Sequence, residues 1–262
     1  MIAHLSAVWQ FRYFWLSLVR LDLQNRYRRS VLGIGWSMLH PLAMTVVFCV
    51  AFGGILGTDD WRVYAPFLLA GMIVWDFVKG SALQGCESFI RAEAYIRQCP
   101  LPYSIYPLRT VLGTFIHFVI GLAMLVCVIA ALRQSGDVFA MFASVVPAVL
   151  LLVIFAWSVA TMAAFVQVYF HDTKHLIEVG SQMFFFLTPI MYARKKLDDQ
   201  GLGFLADINP VTLFLELIRT PLITDVPATL DLYAQGVVLT AAAFGMACGT
   251  IAWLQKKVIF QL

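Results

Sequence analysis

Charge is scarce in this sequence. Only 13% of its 262 residues are Asp, Glu, Lys or Arg and 61% are hydrophobic, whereas a soluble domain carries roughly 25% charged and 45–50% apolar residues. This excludes a separate soluble catalytic domain and a basic nucleic-acid-binding domain, and the mean hydropathy of +0.83 places the chain in a bilayer. No G-x-x-x-x-G-K-[ST] phosphate loop, H-E-x-x-H zinc helix or G-x-S-x-G elbow is present, so the sequence shows no hydrolytic machinery of its own. Cys49, Cys86, Cys99, Cys127 and Cys248 are scattered without C-x-x-C spacing. Most lie in apolar runs, where cysteine behaves as a small hydrophobe, so neither a disulfide nor a metal role is assigned. His171 and His175 stand four apart in YFHDTKHLIE but lack a clear third ligand; they read as part of a solvated turn, and no metal is expected. A proton-coupled transporter would need several carboxylates near the bilayer midplane, and this chain offers at most one, Asp76. Lys79 follows it by three residues, a spacing that permits an ion pair or snorkelling to the interface.

What is abundant is uninterrupted apolar sequence. A spanning helix needs about 20 mainly apolar residues, and six segments qualify: 31–56, 63–83, 103–132, 139–170, 176–192 and 232–254. The fourth is long enough to tilt or protrude, and the fifth is near the minimum length. Before them, Ser6, Gln10, Tyr13, Ser17, Arg20 and Gln24 recur at spacings of three and four, with Val8, Phe11, Trp15 and Leu18 offset at the same rhythm. That is an amphipathic helix, suited to a membrane surface or to packing on the rest of the protein. The amino terminus lacks the features of a cleaved signal peptide and is expected to be retained. Two units follow: residues 1–30 as an amphipathic interface segment, and 31–262 as a single six-helix transmembrane domain.

An even number of spans leaves both ends on one side. With a cytoplasmic amino terminus, twelve of the 18 Lys and Arg residues fall on inner segments, and Arg62, Arg133, Arg194, Lys195, Lys196 and Arg219 fall outside. The bias predicts that both termini are cytoplasmic. Arg26, Arg28 and Arg29, three cations within NRYRRSVLGIGW, then stand at the anionic inner leaflet, each contributing about 1 kcal/mol there.

Two connections carry structure. The inner one, 84–102, pairs Glu87 with Arg91 and Glu93 with Arg97 at i,i+4, which supports a short helix with a mixed-charge face that a soluble partner can grip. The outer one, 194–231, has a polar start and then the apolar pieces GFLADINP and VTLFLELIRTPLI, broken at Asn209-Pro210. Neither reaches spanning length, so both are expected to dip into the outer face and return. Glu216 and Arg219 lie three apart and are placed to pair. Gly53 with Gly57, and Gly245 with Gly249, supply four-residue small-side-chain spacings that permit close helix approach.

RYRRSVLGIGWSMLHPLAMTVVFCVAFGGIL at the first span, FFFLTPIMY ending the fifth and NPVTLFLELIR in the outer loop together resemble the ABC-2 type permeases. The likeness is to the branch that exports polysaccharides such as O-antigen, capsule and teichoic acid. It covers essentially the whole chain. It implies an all-α integral membrane protein with an amino-terminal interface helix, six transmembrane helices, a cytoplasmic coupling helix and two short re-entrant outer helices. It further implies a homodimer joined to two copies of a separate ATPase, which binds ATP and Mg while this chain holds no cofactor. The coupling residues would be Glu87, Arg91, Glu93 and Arg97. The outer gate would include Asn209, Pro210, Glu216 and Arg219.

A sugar polymer presents C–H faces that stack on aromatic rings, and weak repeated contacts permit sliding. Trp36, Phe48, Phe52, Phe185 and Tyr192 are the candidate lining of such a passage. Arg26, Arg28 and Arg29 are candidates to receive the pyrophosphate of a lipid-linked glycan at the inner mouth, since guanidinium forks suit phosphate oxygens. An ABC-2 exporter of a small molecule or lipid, and an ATP-independent transporter or enzyme of glycan synthesis, are the alternative readings.

Overall fold

The computed structural model describes residues 9–28, 30–53, 60–98, 101–132, 138–255 and 258, with the backbone alone over 138–142. Among these there is no strand. Five helices are long and apolar enough to cross a membrane: α2 (Trp36–Phe52, entered through a 3-10 turn at Gly33–Gly35), α3 (Trp61–Cys86), α5 (Ile105–Leu132), α6 (Val138–Tyr169) and α11 (Leu230–Leu254). They match five of the six expected spans. The other, expected over 176–192, is a shorter helix, α7 (Thr173–Leu187). Its 15 residues extend about 22 Å, less than the roughly 30 Å hydrocarbon core, and the chain continues through an irregular turn from Thr188 to Tyr192. Pro189 accounts for the break, because Thr188 before it is held extended at ψ 135.

Helix α1 (Arg12–Tyr27) covers most of the expected interface segment; Val8 and Arg29 lie outside the described residues. Leu18 and Val19 are its buried residues. It is fastened to α5, with Arg109 donating through Nε and Nη2 to the two Asp22 carboxylate oxygens, both at 2.5 Å. The packed arrangement is therefore realised within the chain.

The core lies where α3, α5, α6 and the short helix α10 (Pro210–Thr224) meet. Helix α3 is the central element: fifteen of its 26 residues are buried. A Cβ on Gly85 would fall 2.6 Å from the Ala160 Cα, so only glycine there lets α3 and α6 backbones approach this closely. A Cβ on Gly245 or Gly249, by contrast, would meet nothing within 4 Å among the described residues, and Gly57 lies outside them.

The inner connection is not one helix. Helix α3 runs on to Cys86, a 3-10 turn follows at Ile90–Ala92, and α4 (Glu93–Gln98) is a separate piece. Phe89, Ala92 and Ile96 are buried against Tyr106 and Phe165. Both expected ion pairs nevertheless form, Arg91 with Glu87 and Arg97 Nε with Glu93 at 2.9 Å.

Outside the spans at the other end come α8 (Arg194–Asp199), which the polar sequence RKKLDD did not suggest, α9 (Gly203–Ile208) and α10. The Asn209 side chain accepts from the Val211 N–H at 3.0 Å and Pro210 takes the first helical position, a strong start signal. Helix α10 buries ten residues from Val211 to Ile223. Its Arg219 reaches Gly71, which lies about 15 Å along α3 from Trp61. Helix α10 has 15 residues, short of spanning length as expected of the outer pieces, and the chain leads from it into α11.

Candidate functional site

Four groups of residues stand along the molecule. At the end that carries α1, helices α1, α2, α3 and α5 line a cavity of about 430 Å³ with Arg26, Tyr27, Trp36, His40, Asp76 and His117 among others. A second cavity, of about 420 Å³, shares Arg26 and Gln84 with the first and adds Asp22, Arg91 and Arg109. The Tyr27 hydroxyl lies 3.2 Å from the His117 ring nitrogens. His40 Nδ1 lies 3.8 Å from Asp76, so the Asp76 carboxylate faces α2 and not Lys79. Arg109 is engaged by Asp22, while Arg26 lines both cavities. Arg28 is exposed just past the end of α1.

Phe48, Phe52, Phe185 and Tyr192 meet in one aromatic cluster around Tyr64, Leu68 and Met191. Phe48 lies 5.9 Å from Phe52 and 6.2 Å from Phe185 between ring centroids, and Phe185 is 5.8 Å from Trp75. All four candidates are half-buried. Trp36 stands apart from them, 54% exposed, on the wall of the inner cavity.

The outer group is a lock on the broken end of α7. A helix that stops inside a membrane protein leaves backbone carbonyls that must find donors. Here Arg219 donates to Pro189 O at 2.5 Å and Ile190 O at 2.7 Å, and the Tyr64 hydroxyl donates to Met191 O at 2.9 Å. Asn209 Nδ2 donates to Thr188 Oγ1 at 2.7 Å, and that hydroxyl in turn donates to Phe184 O. The Arg219 guanidinium also stacks 3.8 Å from the Phe67 ring centroid, a favourable cation–π contact in a desolvated site. A Cβ on Gly71 would collide with it.

The expected Glu216–Arg219 pairing is corrected by this geometry. Arg219 is buried and turned to the carbonyls, because an uncapped helix end inside the protein offers a cation two acceptors at once. Glu216 instead pairs with Arg194 at 3.3 Å, and Arg194 also meets Asp207. Burial draws the Arg194 pKa down, but the Glu216, Asp207 and Asp198 carboxylates outweigh it and hold the group above its ordinary value. Pro210 follows Asn209 as the first residue of α10.

The fourth group is at the inner corner. Lys174, in the first turn of α7, pairs with Glu87, which also holds Arg91. Burial pushes the Glu87 carboxyl up, yet the Lys174 hydrogen bond and the Arg91 and Lys174 charges outweigh it and leave it below the ordinary glutamate value. Lys174 is raised, chiefly by the hydrogen bond and charge of Glu87. Phe14 of α1 meets Tyr95 of α4 at 6.0 Å between ring centroids, so the interface segment and the inner connection form one surface.

Sequence reasoning missed Lys174, Thr188, Tyr64, Asp22 and Arg109. Thr188 sits inside the quoted stretch FFFLTPIMY, so a signal existed for it; the others depend on contacts between distant segments.

The profile of the ABC-2 type transporter family matches residues 13–223, which takes in all four groups. The chain is 24% identical over 232 residues to an O-antigen export system permease protein RfbA of Klebsiella pneumoniae, covering 86% of this chain and 87% of that protein. It is 24% identical over 248 residues to an O-antigen export system permease protein RfbA of Myxococcus xanthus, covering 93% and 94%. With long apolar helices, a buried lock on a broken one and a family match across most of its length, the chain belongs to the ABC-2 type transporter family.

Proposed function

We propose that the chain is the membrane-spanning permease subunit of an ABC transporter that exports a lipid-linked polysaccharide of the O-antigen kind across the bacterial inner membrane. In this reading two copies of the chain form the passage, and two copies of a separate ATPase bind ATP and Mg and supply the energy. Both termini face the cytoplasm. The observation that carries the reading is the reach of the similarity: relatives named as O-antigen export permeases align over 86% and 93% of the chain.

The geometry supports a division of labour. The inner cavities present Arg26 toward the place where a lipid pyrophosphate would arrive, with Arg28 close by, and charge-assisted hydrogen bonds from guanidinium suit that group. Trp36 on the cavity wall offers a stacking face to the first sugar. Phe48, Phe52, Phe185 and Tyr192 continue an apolar, stacking surface outward. Glu87, Arg91, Glu93 and Arg97 lie on the inner surface that the ATPase would grip. Asn209, Pro210, Glu216 and Arg219 hold the outer closure in place.

Deletion of the chain followed by analysis of lipid-linked glycan tests the proposal. Export predicts finished polymer accumulating inside the cell, and loss of polymer synthesis would point to an enzyme instead.

A further inference from the structure

Helix α7 is fastened by polar contacts at its two ends, packs Phe185 against Phe48 and Trp75 between them, and leaves its opposite face open. Thr173 is its one buried residue, and Thr188 just beyond its last turn is fully buried. Along its length Leu176, Val179, Met183 and Phe186 are each more than half exposed.

At the inner end the fastening crosses to the connection between α3 and α4. Lys174 pairs with Glu87, and the corner that carries Lys174 is braced by Gln167: its side-chain oxygen accepts from the Lys174 N–H at 2.8 Å and its amide donates to His171 O at 2.6 Å. Gln167 is itself buried, so the corner moves as a unit. At the outer end Asn209 holds Thr188, and Arg219 holds Pro189 and Ile190. An α-helix is stiff along its axis, and from Lys174 to Thr188 it spans about 21 Å.

We propose that α7 is a strut that carries displacement of the inner connection to the outer helices α9 and α10, with Lys174 as its inner fastening and Thr188 as its outer one. The inference rests on the proposed function, in which an ATPase moves the inner connection. Lys174 is a positioning residue in this scheme: it touches neither cargo nor nucleotide, and acts through Glu87. A displacement applied at Glu87 pulls the first turn of α7, and the stiff helix passes it to the Thr188–Asn209 contact.

The test uses the chain assembled with its ATPase subunit in proteoliposomes, reading polymer translocated per ATP hydrolysed. Lys174→Met is expected to keep ATP hydrolysis within about twofold while polymer per ATP falls by at least about fivefold, the scale of a modest coupling energy. Lys174→Arg keeps the ion pair and is expected to keep the ratio. Glu178→Gln removes a carboxylate 4.0 Å from Lys174 but on α7 itself, so it leaves the cross-connection intact and the ratio unchanged. Thr188→Val, at the far end, is expected to uncouple as Lys174→Met does, and it reads the same quantity should Lys174→Met fail to assemble. An unchanged ratio in Lys174→Met or Thr188→Val overturns the strut, as does equal uncoupling by Glu178→Gln. If the unsubstituted complex translocates no polysaccharide at all, the proposed function fails instead.

Discussion

Arg219 donates to the carbonyl of Ile190 across 2.7 Å, tying α10 to the broken end of α7. The two stretches that carry the family resemblance, FFFLTPIMY and NPVTLFLELIR, are thus the two halves of one lock. Proline breaks α7, the break frees carbonyls, and the asparagine and arginine of the second stretch satisfy what the first leaves open.

Removing that cation should be costly. Arg219→Met leaves the Pro189 and Ile190 carbonyls buried without their donor and is expected to destabilise the protein by about 2–3 kcal/mol, the scale for a charged hydrogen-bonding group. Arg219→Lys should recover only part of this, since one ammonium lacks the planar fork that serves two acceptors. Thermal unfolding in detergent measures both, and full recovery by Lys would contradict the bidentate role.

Gly71→Ala should reproduce the Arg219 defect, because its methyl group collides with the guanidinium. In a double-mutant cycle with Arg219→Met the two losses are expected to fall short of additivity by about 1 kcal/mol or more, as for residues in contact. Additive losses would show that the two positions act separately.

Asn209 has two tasks, capping α10 and donating to Thr188. Asn209→Ala is expected to cost about 1–2 kcal/mol, and Asn209→Asp less, since it caps but cannot donate. Equal losses would mean that the cap contributes nothing, and an undiminished stability in Asn209→Asp would mean the same of the Thr188 contact.

The inner corner carries a pH signature. Glu87 has its folded-state pKa below the ordinary value, so its contribution is complete above the unfolded value and is lost as pH falls through the folded one. Lys174 is raised, so its share is present below the ordinary lysine value and is lost only as pH climbs past the folded one. Between those limits the contact is pH-independent. The stability difference between the unsubstituted protein and Glu87→Gln should therefore hold steady at neutral pH and vanish in acid below the ordinary glutamate range. A difference that persists there would assign the effect to packing.

The long helices were legible because each is a run of apolar residues bounded by charge or by turn residues, as α5 shows between Pro102 and Arg133. The two inner ion pairs were legible too, because a spacing of four brings side chains together whatever the tertiary fold. What escaped depends on contacts that local pattern does not encode. Lys174 and Glu87 are 87 positions apart, and nothing in KHLIE distinguishes that lysine from a solvated one. Spacing alone favoured Glu216 as the partner of Arg219; the competing carbonyls appear only once Pro189 has broken α7 beside it. Helix α8 is polar apart from Leu197 and gives no periodic signal, and the split of the inner connection leaves no local mark, since Phe89, Ala92 and Ile96 at i, i+3 and i+7 would share one face of a straight helix as well.

Arg26 should matter to cargo more than to fold. Arg26→Gln is expected to leave insertion and stability intact and to raise the half-saturating concentration of lipid-linked substrate by about tenfold, the low end for a charged hydrogen bond. Neutralising Arg26, Arg28 and Arg29 together with topology preserved and export unchanged would remove the phosphate-receiving role.

The most direct test reconstitutes the chain in liposomes loaded with lipid-linked polysaccharide, with and without its ATPase subunit. Transport is expected only when the ATPase and ATP are both present, with an imposed proton or sodium gradient adding nothing. Uphill movement of polymer by the chain alone, driven by an ion gradient, would contradict a passage that is powered through its inner surface.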